Sequence, residues 1–338
     1  MSRTAPFKPE WIAELRVVGD DDPENPDVAY NNGHLMHQTT FFIGPVNFYW
    51  RSGGRNHCVE MTTGDSNYIT PYVPHSFTSR RSDRRGLIIA VTYAGQVGRA
   101  LRGFMEIGAQ AAERAAGDLR TDAPFERRLV KQLEAESLST GQLIARLISR
   151  GIGEDRAAAI IEGHAEPAID ELRCVAEALS VRPSDLSASR MTVDDEVIIR
   201  RRDAAPARNF PADNDPAYRL TELARSRHQP FLKGFDMTVL GGARGDFCHG
   251  LHEYAFNYGS EPVELVWDDG RSATVPPDGS AYIRPFVRHR FERPDGCKPG
   301  RVVMIRVPGQ LTDPVLDEYA AFATEGRGRA AGETRRWF

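Results

Sequence analysis

Apolar positions recur in short runs near both ends of the chain and at helical spacing in the middle. Residues 41–43, 46–50 and 87–93 are β-branched or aromatic runs, separated by Gly44-Pro45, Ser52-Gly53-Gly54 and Gly64-Asp65. Runs of this length between such breakers predict strands, and their close spacing predicts a small barrel or sandwich over residues 1–95. From residue 96 the period lengthens. Residues 96–114 form an Ala-rich helical pattern, and 128–136, 140–147, 154–161, 167–178 and 183–186 read as short helices. Leu129, Leu133, Leu143, Ile144 and Leu147 supply their apolar stripe, and Ser139-Thr140 and Pro183-Ser184-Asp185 are suitable helix starts. Strand patterns return at 196–200, 237–240, 254–258, 263–267, 281–284 and 301–307. A helix over 314–324 and a basic, solvated and mobile tail over 327–338 close the chain. The predicted order is β, α, β, with units at 1–95, 96–190, 191–310 and 311–338.

The strand regions repeat each other. The segment from His34 to Gly44 matches that from His249 to Gly259, and the segment from Ser66 to Phe77 matches that from Ser280 to Phe291. The first and last histidines of these blocks lie 41 residues apart in one copy (His34, His75) and 40 in the other (His249, His289). Preserved blocks at a preserved separation imply two copies of one β-domain. Most of the nine histidines sit at matched positions, including His37 and His252; His57, His164 and His228 do not.

On a strand, positions four apart share a face, so His34 with Gln38, and His249 with Glu253, can enter one barrel interior. A His on a neighbouring strand completes each set. Three donors on one face of an octahedral ion leave three positions open. His37 and His252 have the opposite parity and read as structural; His57 reads as a surface or strand-edge residue. His34, Gln38 and His75 are the first candidate set, and His249, Glu253 and His289 the second. The carboxylate favours the second set, whereas Arg284, Arg288 and Arg290 near His289 oppose a cation there.

Composition narrows the class. Of 338 residues 41% are hydrophobic, and the net charge of −4 argues against a protein built to grip nucleic acid. No run of about 18 apolar residues exists, so no membrane helix is expected. Residues 1–7 carry no apolar stretch, so no signal peptide is expected. The four cysteines form no CxxC pair, which argues against a zinc ribbon or disulfide scaffold and fits a cytoplasmic location.

His-x-x-x-(Glu/Gln) followed about 40 residues later by His resembles the two metal motifs of the cupin family. Residues 127–186 resemble the helix-turn-helix domain of the lambda-repressor type. Ile160-Ile161-Glu162-Gly163 with Pro167, and the run from Leu172 to Leu186, carry that likeness. Its recognition stretch offers Arg156 beside Glu154 and Asp155, a poor reader of base edges. The expected fold class is therefore mainly β with a helical insert: two cupin (double-stranded β-helix) barrels flanking a helix-turn-helix-like module.

That arrangement is similar to the two-cupin phosphonate non-haem iron oxygenases. Asn31-Asn32-Gly33-His34-Leu35, Gly64-Asp65-Ser66, Pro74-His75-Ser76, Pro277-Asp278-Gly279 and the run from Pro285 to Arg290 carry the resemblance. It implies Fe(II) in the first cupin, on His34 and His75, with the second cupin metal-free. Members with dioxygenase activity place a Glu six residues before the late His, where this chain has Ile69; methylphosphonate synthases use a Gln four after the first His, here Gln38. The resemblance implies O2-dependent cleavage of 2-hydroxyethylphosphonate, or a close 2-hydroxyalkylphosphonate, to methylphosphonate without 2-oxoglutarate. Asn31 is the implied substrate contact, with Thr92, Lys8 and Arg51 as further candidates. Members carry another helix-turn-helix module ahead of the first cupin, which this chain is expected to lack. A homo-oligomer is expected, with no nucleic-acid or membrane partner. The competing expectations are a dioxygenase giving hydroxymethylphosphonate and formate, an epoxidase or dehydrogenase using His249, Glu253 and His289, and a helix-turn-helix regulator with a cupin sensor.

Overall fold

The computed structural model describes residues 6–12, 14–31, 33–117, 124–187, 196–212, 214–227, 229–241, 245–268 and 270–332. His228 and the end of the expected basic tail lie outside them. The chain divides into two compact units: Met1–Gly98 with Val193–Phe338, and Arg99–Thr192.

The first strands are β1 (Phe7–Ile12), β2 (His37–Ile43), β3 (Val46–Ser52), β4 (Arg55–Met61), β5 (Ser66–Ile69), β6 (His75–Ser79) and β7 (Leu87–Tyr93). The helical stretch holds α1 (Gln96–Arg99), α2 (Leu101–Ile107), α3 (Ala109–Gly117), α4 (Pro124–Glu136), α5 (Thr140–Ile148), α6 (Glu154–Ile161), α7 (Ile169–Ala178) and α8 (Pro183–Leu186). Then come β8 (Val197–Arg200), β9 (Ala207–Phe210), β10 (Tyr218–Glu222), β11 (Lys233–Val239), β12 (His252–Asn257), β13 (Val263–Trp267), β14 (Arg271–Val275), β15 (Ser280–Ile283), β16 (His289–Glu292) and β17 (Gly300–Val307). The last helices are α9 (Asp313–Ala321) and α10 (Thr324–Gly332).

The first cupin faces the sheet β1-β7-β2-β5-β8 against β4-β3-β6; the second faces β15-β12-β17-β11-β10-β9 against β14-β13-β16. The repeat holds at the level of topology, since β1-β7-β2-β5 and β11-β17-β12-β15 have the same antiparallel order. Phe42, Val46, Phe48, Met61, Ile69 and Ile88 fill the first interior; Met237, Val239, Leu265, Phe291 and Met304 fill the second.

The two larger sheets also bury their outer faces against each other. Phe41, Tyr68, Ile89 and Val91 meet Tyr254, Phe256, Val303 and Ile305 there. Phe41 and Phe42, or Ile88 and Ile89, thus point to opposite faces and are both buried. That double burial explains why the cores of β7 and β17 read as continuous apolar runs instead of alternating ones.

Three expectations need correction. Residues 196–200 do not join the second set of strands: β8 pairs with β5, Ser66 opposite Arg200. The single helix over 96–114 is three short pieces, interrupted at Ala100 and Gly108. The expected solvated tail begins as α10, and Arg327 donates to the carbonyls of Phe322 (2.6 Å) and Ala320 (3.3 Å) at the end of α9.

In the helical unit, Leu129, Leu133, Leu143, Leu147, Ile160, Val175, Leu179 and Leu186 form one core. Ser139 starts α5 as read: its Oγ accepts from Gln142 N (3.2 Å), while Gln142 Oε1 accepts from Ser139 N (2.9 Å).

Candidate metal centre

His34 and Gln38 approach each other at the start of β2, and His75 opens β6. Gly33 and Tyr72 shape this entrance, both at positive φ (72° and 64°), and Tyr72 N donates to His34 O at 2.9 Å. The Oδ1 of Asn31 accepts from Gly33 N (2.8 Å) and His75 N (3.2 Å), so one carboxamide ties the loops bearing both histidines.

The hydrogen-bond partners orient the rings. His75 Nδ1 lies 2.8 Å from Val73 O, so it donates there and Nε2 presents its lone pair; His34 Nδ1 lies 2.9 Å from Met36 O and 3.3 Å from Met36 N, which fix its ring. Burial pushes His75 below the ordinary histidine range, which keeps it neutral. Gln38 Nε2 donates to Thr40 Oγ1 at 2.9 Å, which turns Oε1 toward His34 Nε2 at 3.2 Å. His34 Nε2 and Gln38 Oε1 thus converge, and the His34 and His75 rings stand perpendicular, 5.4 Å apart. Two imidazoles and a carboxamide oxygen drawn together in this way are a donor set that fits a divalent metal.

The set opens on a cavity of about 330 Å³ lined by Glu10, Ile12, Leu15, Asn31, Phe77 and Ile88 among others. Cross-strand register places the remaining candidates. Lys8 is opposite Thr92, Thr92 opposite Gln38, and Gln38 opposite Ile69, so these four share a face in one row across β1, β7, β2 and β5. Lys8 is exposed and pairs with Glu10 at the cavity wall. Thr92 Oγ1 donates to Lys8 O at 3.2 Å. Arg51 is not brought to the site. It lies on the Tyr49 face of β3, bonded to Asn56 and stacked over Tyr30, whereas Trp50 faces the interior.

The second barrel repeats the cradle. His249 Nε2 and His289 Nε2 lie 3.1 and 3.0 Å from the two Glu253 oxygens, and His289 Nδ1 is 2.9 Å from Val287 O. Here a protein cation is already present: Arg306 Nε donates to Glu253 Oε2 at 2.5 Å, its guanidinium resting over the Phe235 and Phe247 rings. Burial alone would raise the Glu253 carboxyl, but hydrogen bonds from His249 and His289 and the Arg306 charge outweigh it and hold it well below the carboxylate range. Arg288 and Arg290, expected to crowd this site, turn to Asp246 instead (3.8 and 3.7 Å).

Sequence reasoning missed Arg306, Lys233 and Glu10. The signal for the first two was the repeat itself, extended one strand further each way. His37 and His252 each bond a tyrosine, Tyr68 and Tyr282, at 2.7 Å, and His57 stacks on Trp50 at 4.9 Å.

A cupin whose interior presents two histidines and an oxygen donor to a cavity belongs to the metal-dependent cupin enzymes. No family model matches the chain. It is 33% identical over its full length to methylphosphonate synthase of Nitrosopumilus maritimus, covering 74% of that protein. It is 26% identical to 2-hydroxyethylphosphonate dioxygenase of Streptomyces viridochromogenes over 78% of its own length and 62% of the relative's. Among solved structures, the dioxygenase of Streptomyces albus with Fe(II) and 2-hydroxyethylphosphonate bound superposes with a TM-score of 0.87, at 36% identity, covering the whole chain and 76% of that structure. A cadmium complex of PhpD with its phosphonate ligand shares the fold, with a TM-score of 0.72 at 21% identity, over 92% of this chain and 74% of that one. The chain belongs to the two-cupin non-haem iron phosphonate oxygenases, the family of methylphosphonate synthase and 2-hydroxyethylphosphonate dioxygenase.

Proposed function

We propose that the chain holds Fe(II) on His34, Gln38 and His75 and uses O2 to cleave the C–C bond of 2-hydroxyethylphosphonate, releasing methylphosphonate, with the carbinol carbon leaving as bicarbonate that carries both O2 oxygens. The observation that carries this reading is the first barrel's donor set: convergent, bonded to no Lys or Arg among the described residues, and open to a cavity. When bound, Fe(II) supplies a template that holds the substrate hydroxyl and O2 together and stabilises the alkoxide. The substrate supplies all the electrons that reduce O2, so 2-oxoglutarate is not required.

The chain's own residues do the rest. Asn31 spends its Oδ1 on the ligand loops, which leaves Nδ2 to donate to a phosphonate oxygen. Lys8, in the Gln38 row, exchanges Glu10 for the phosphonate dianion. Ile12, Leu15, Phe77, Ile88 and Ala90 provide an apolar wall that restricts water near the reacting carbons. Gln38 leaves one more positive charge on the ion than a carboxylate would. Ile69, opposite Gln38 and fully buried, offers no alternative donor.

A second reading, dioxygenase chemistry giving hydroxymethylphosphonate and formate, is supported by the likeness to the Streptomyces albus dioxygenase. The regulator reading loses support, because Arg156 is held by Glu171 (2.7 and 2.8 Å) and Glu166 O. The test is anaerobic Fe(II) loading, addition of substrate, then O2, followed by phosphorus NMR. A methylphosphonate resonance is expected; hydroxymethylphosphonate with formate selects the second reading, and unconsumed substrate refutes both.

A further inference from the structure

The two barrels carry the same four-residue row. In the first it is Lys8, Thr92, Gln38 and Ile69; in the second it is Lys233, Arg306, Glu253 and Ile283, paired strand to strand in the same order. The outer members are the same residue types. The inner two differ together: Thr92 becomes Arg306, and Gln38 becomes Glu253. One change adds a positive charge and the other a negative one, so the row's net charge is unchanged. Both histidines of each cradle are retained, as are the Val73 and Val287 carbonyls that orient the late ones.

We propose that the residue opposite the third donor, Thr92 in one barrel and Arg306 in the other, decides which cupin accepts a metal. Arg306 is a resident cation. Its Nε occupies the Glu253 oxygen that also faces His249, and its guanidinium is fixed over two aromatic faces, Phe235 and Phe247. A divalent ion entering this cradle meets a carboxylate already neutralised and a like charge beside it. In the first barrel the corresponding side chain is short and neutral and turns its hydroxyl to the Lys8 carbonyl. The second cupin is therefore a complete metal cradle closed by one arginine.

The inference rests on the proposed first-barrel site only for the wild-type metal count; the increment on opening the second barrel is independent of it. The experiment is anaerobic Fe(II) or Co(II) loading, gel filtration, and metal analysis, with a circular-dichroism melt for each variant. Wild type is expected to retain one equivalent. Arg306→Thr, and the double variant Glu253→Gln with Arg306→Thr, are expected to retain two, a doubling. The added equivalent survives His75→Ala and disappears with His289→Ala. A folded Arg306→Thr protein that retains one equivalent overturns the proposal, as does a wild-type equivalent that Glu253→Ala removes. If Arg306→Thr fails to fold, the reverse exchange decides: Gln38→Glu with Thr92→Arg is expected to abolish first-barrel metal, and full retention there overturns the proposal. Loss of the proposed first-barrel site itself has a different signature, a wild-type metal content unaffected by His75→Ala.

Discussion

Gly33 precedes His34 and sits at φ +72°, where any Cβ would lie 2.5, 2.6 and 2.8 Å from the carbonyl carbon, Cα and oxygen of Tyr72. Gly33→Ala therefore carries two costs. An L-residue in the left-handed region costs about 1–2 kcal/mol. Restoring a contact of 3.4 Å from 2.5 Å requires a separation of 0.9 Å between two backbone segments. Tyr72 is itself at positive φ and bonded to His34 O, so the displacement passes to the His34 ring. A total of about 2–4 kcal/mol is expected from strain of this kind. Ligands must hold position to about 0.5 Å, so metal affinity is expected to fall on the order of 100-fold. Gly54→Ala is the control: Gly54 is at φ +74° with nothing within 4 Å of an added Cβ, so it bears the conformational cost alone. The assay pairs urea unfolding with anaerobic Co(II) titration of both variants. Equal metal affinity and equal stability in the two would refute the account of how this loop places His34.

Gln38→Ala is expected to release metal from the first barrel while leaving the melt nearly unchanged. Glu253→Ala is expected to release none but to cost about 3–5 kcal/mol, because Arg306 is left buried without its partner; metal analysis and unfolding of both distinguish the two. Glu253 is held below its ordinary value of 4.5, so it contributes stability above pH 4.5 that is lost as pH falls through its folded-state value. The stability gap between wild type and Glu253→Gln, read by urea midpoints, should therefore narrow below pH 4.5, and a gap that widens there refutes the assignment. Lys8→Gln is expected to raise KM for 2-hydroxyethylphosphonate by about 10- to 100-fold, the worth of a charge-assisted hydrogen bond, with metal content unchanged; an unchanged KM removes Lys8 from the phosphonate site.

The repeat made most of the architecture legible. Gln38, His75 and their counterparts sit on equivalent strands, and His34 and His249 sit in the loops just before β2 and β12 instead of on the strands as expected, because the spacing of histidine to acceptor, and the Gly/Pro turn before the late histidine, are local features. What escaped was set by pairing at long range. β1 is a half-exposed segment whose identity as a strand depends on its partner β7, and β8, legible as a strand, falls in the wrong barrel on sequence alone because its partner β5 is distant in sequence. Arg306 lies in an apolar run that reads simply as a core strand, and its meaning appears only when β17 is set against β12. Arg51, chosen as a nearby cation, lies on the opposite face of β3 from the interior, because Trp50 takes the interior position. Charge near a site in sequence was a poor guide, whereas charge opposite it in register was informative.

The return of the chain from the helical unit to pair β8 with β5 bears on how the protein is made. Ribosomal synthesis delivers β5 long before β8, with all of the helical segment between them, so the outer edge of β5 is bare while that segment is being translated. Every sheet pairing of the second barrel lies between residues 207 and 307, so its order of assembly has no such interruption. The first barrel is thus begun first and its five-stranded sheet is finished only after the helices have emerged. A nascent chain arrested before Arg200 should be cut by protease around β5, and one arrested after it should be protected there.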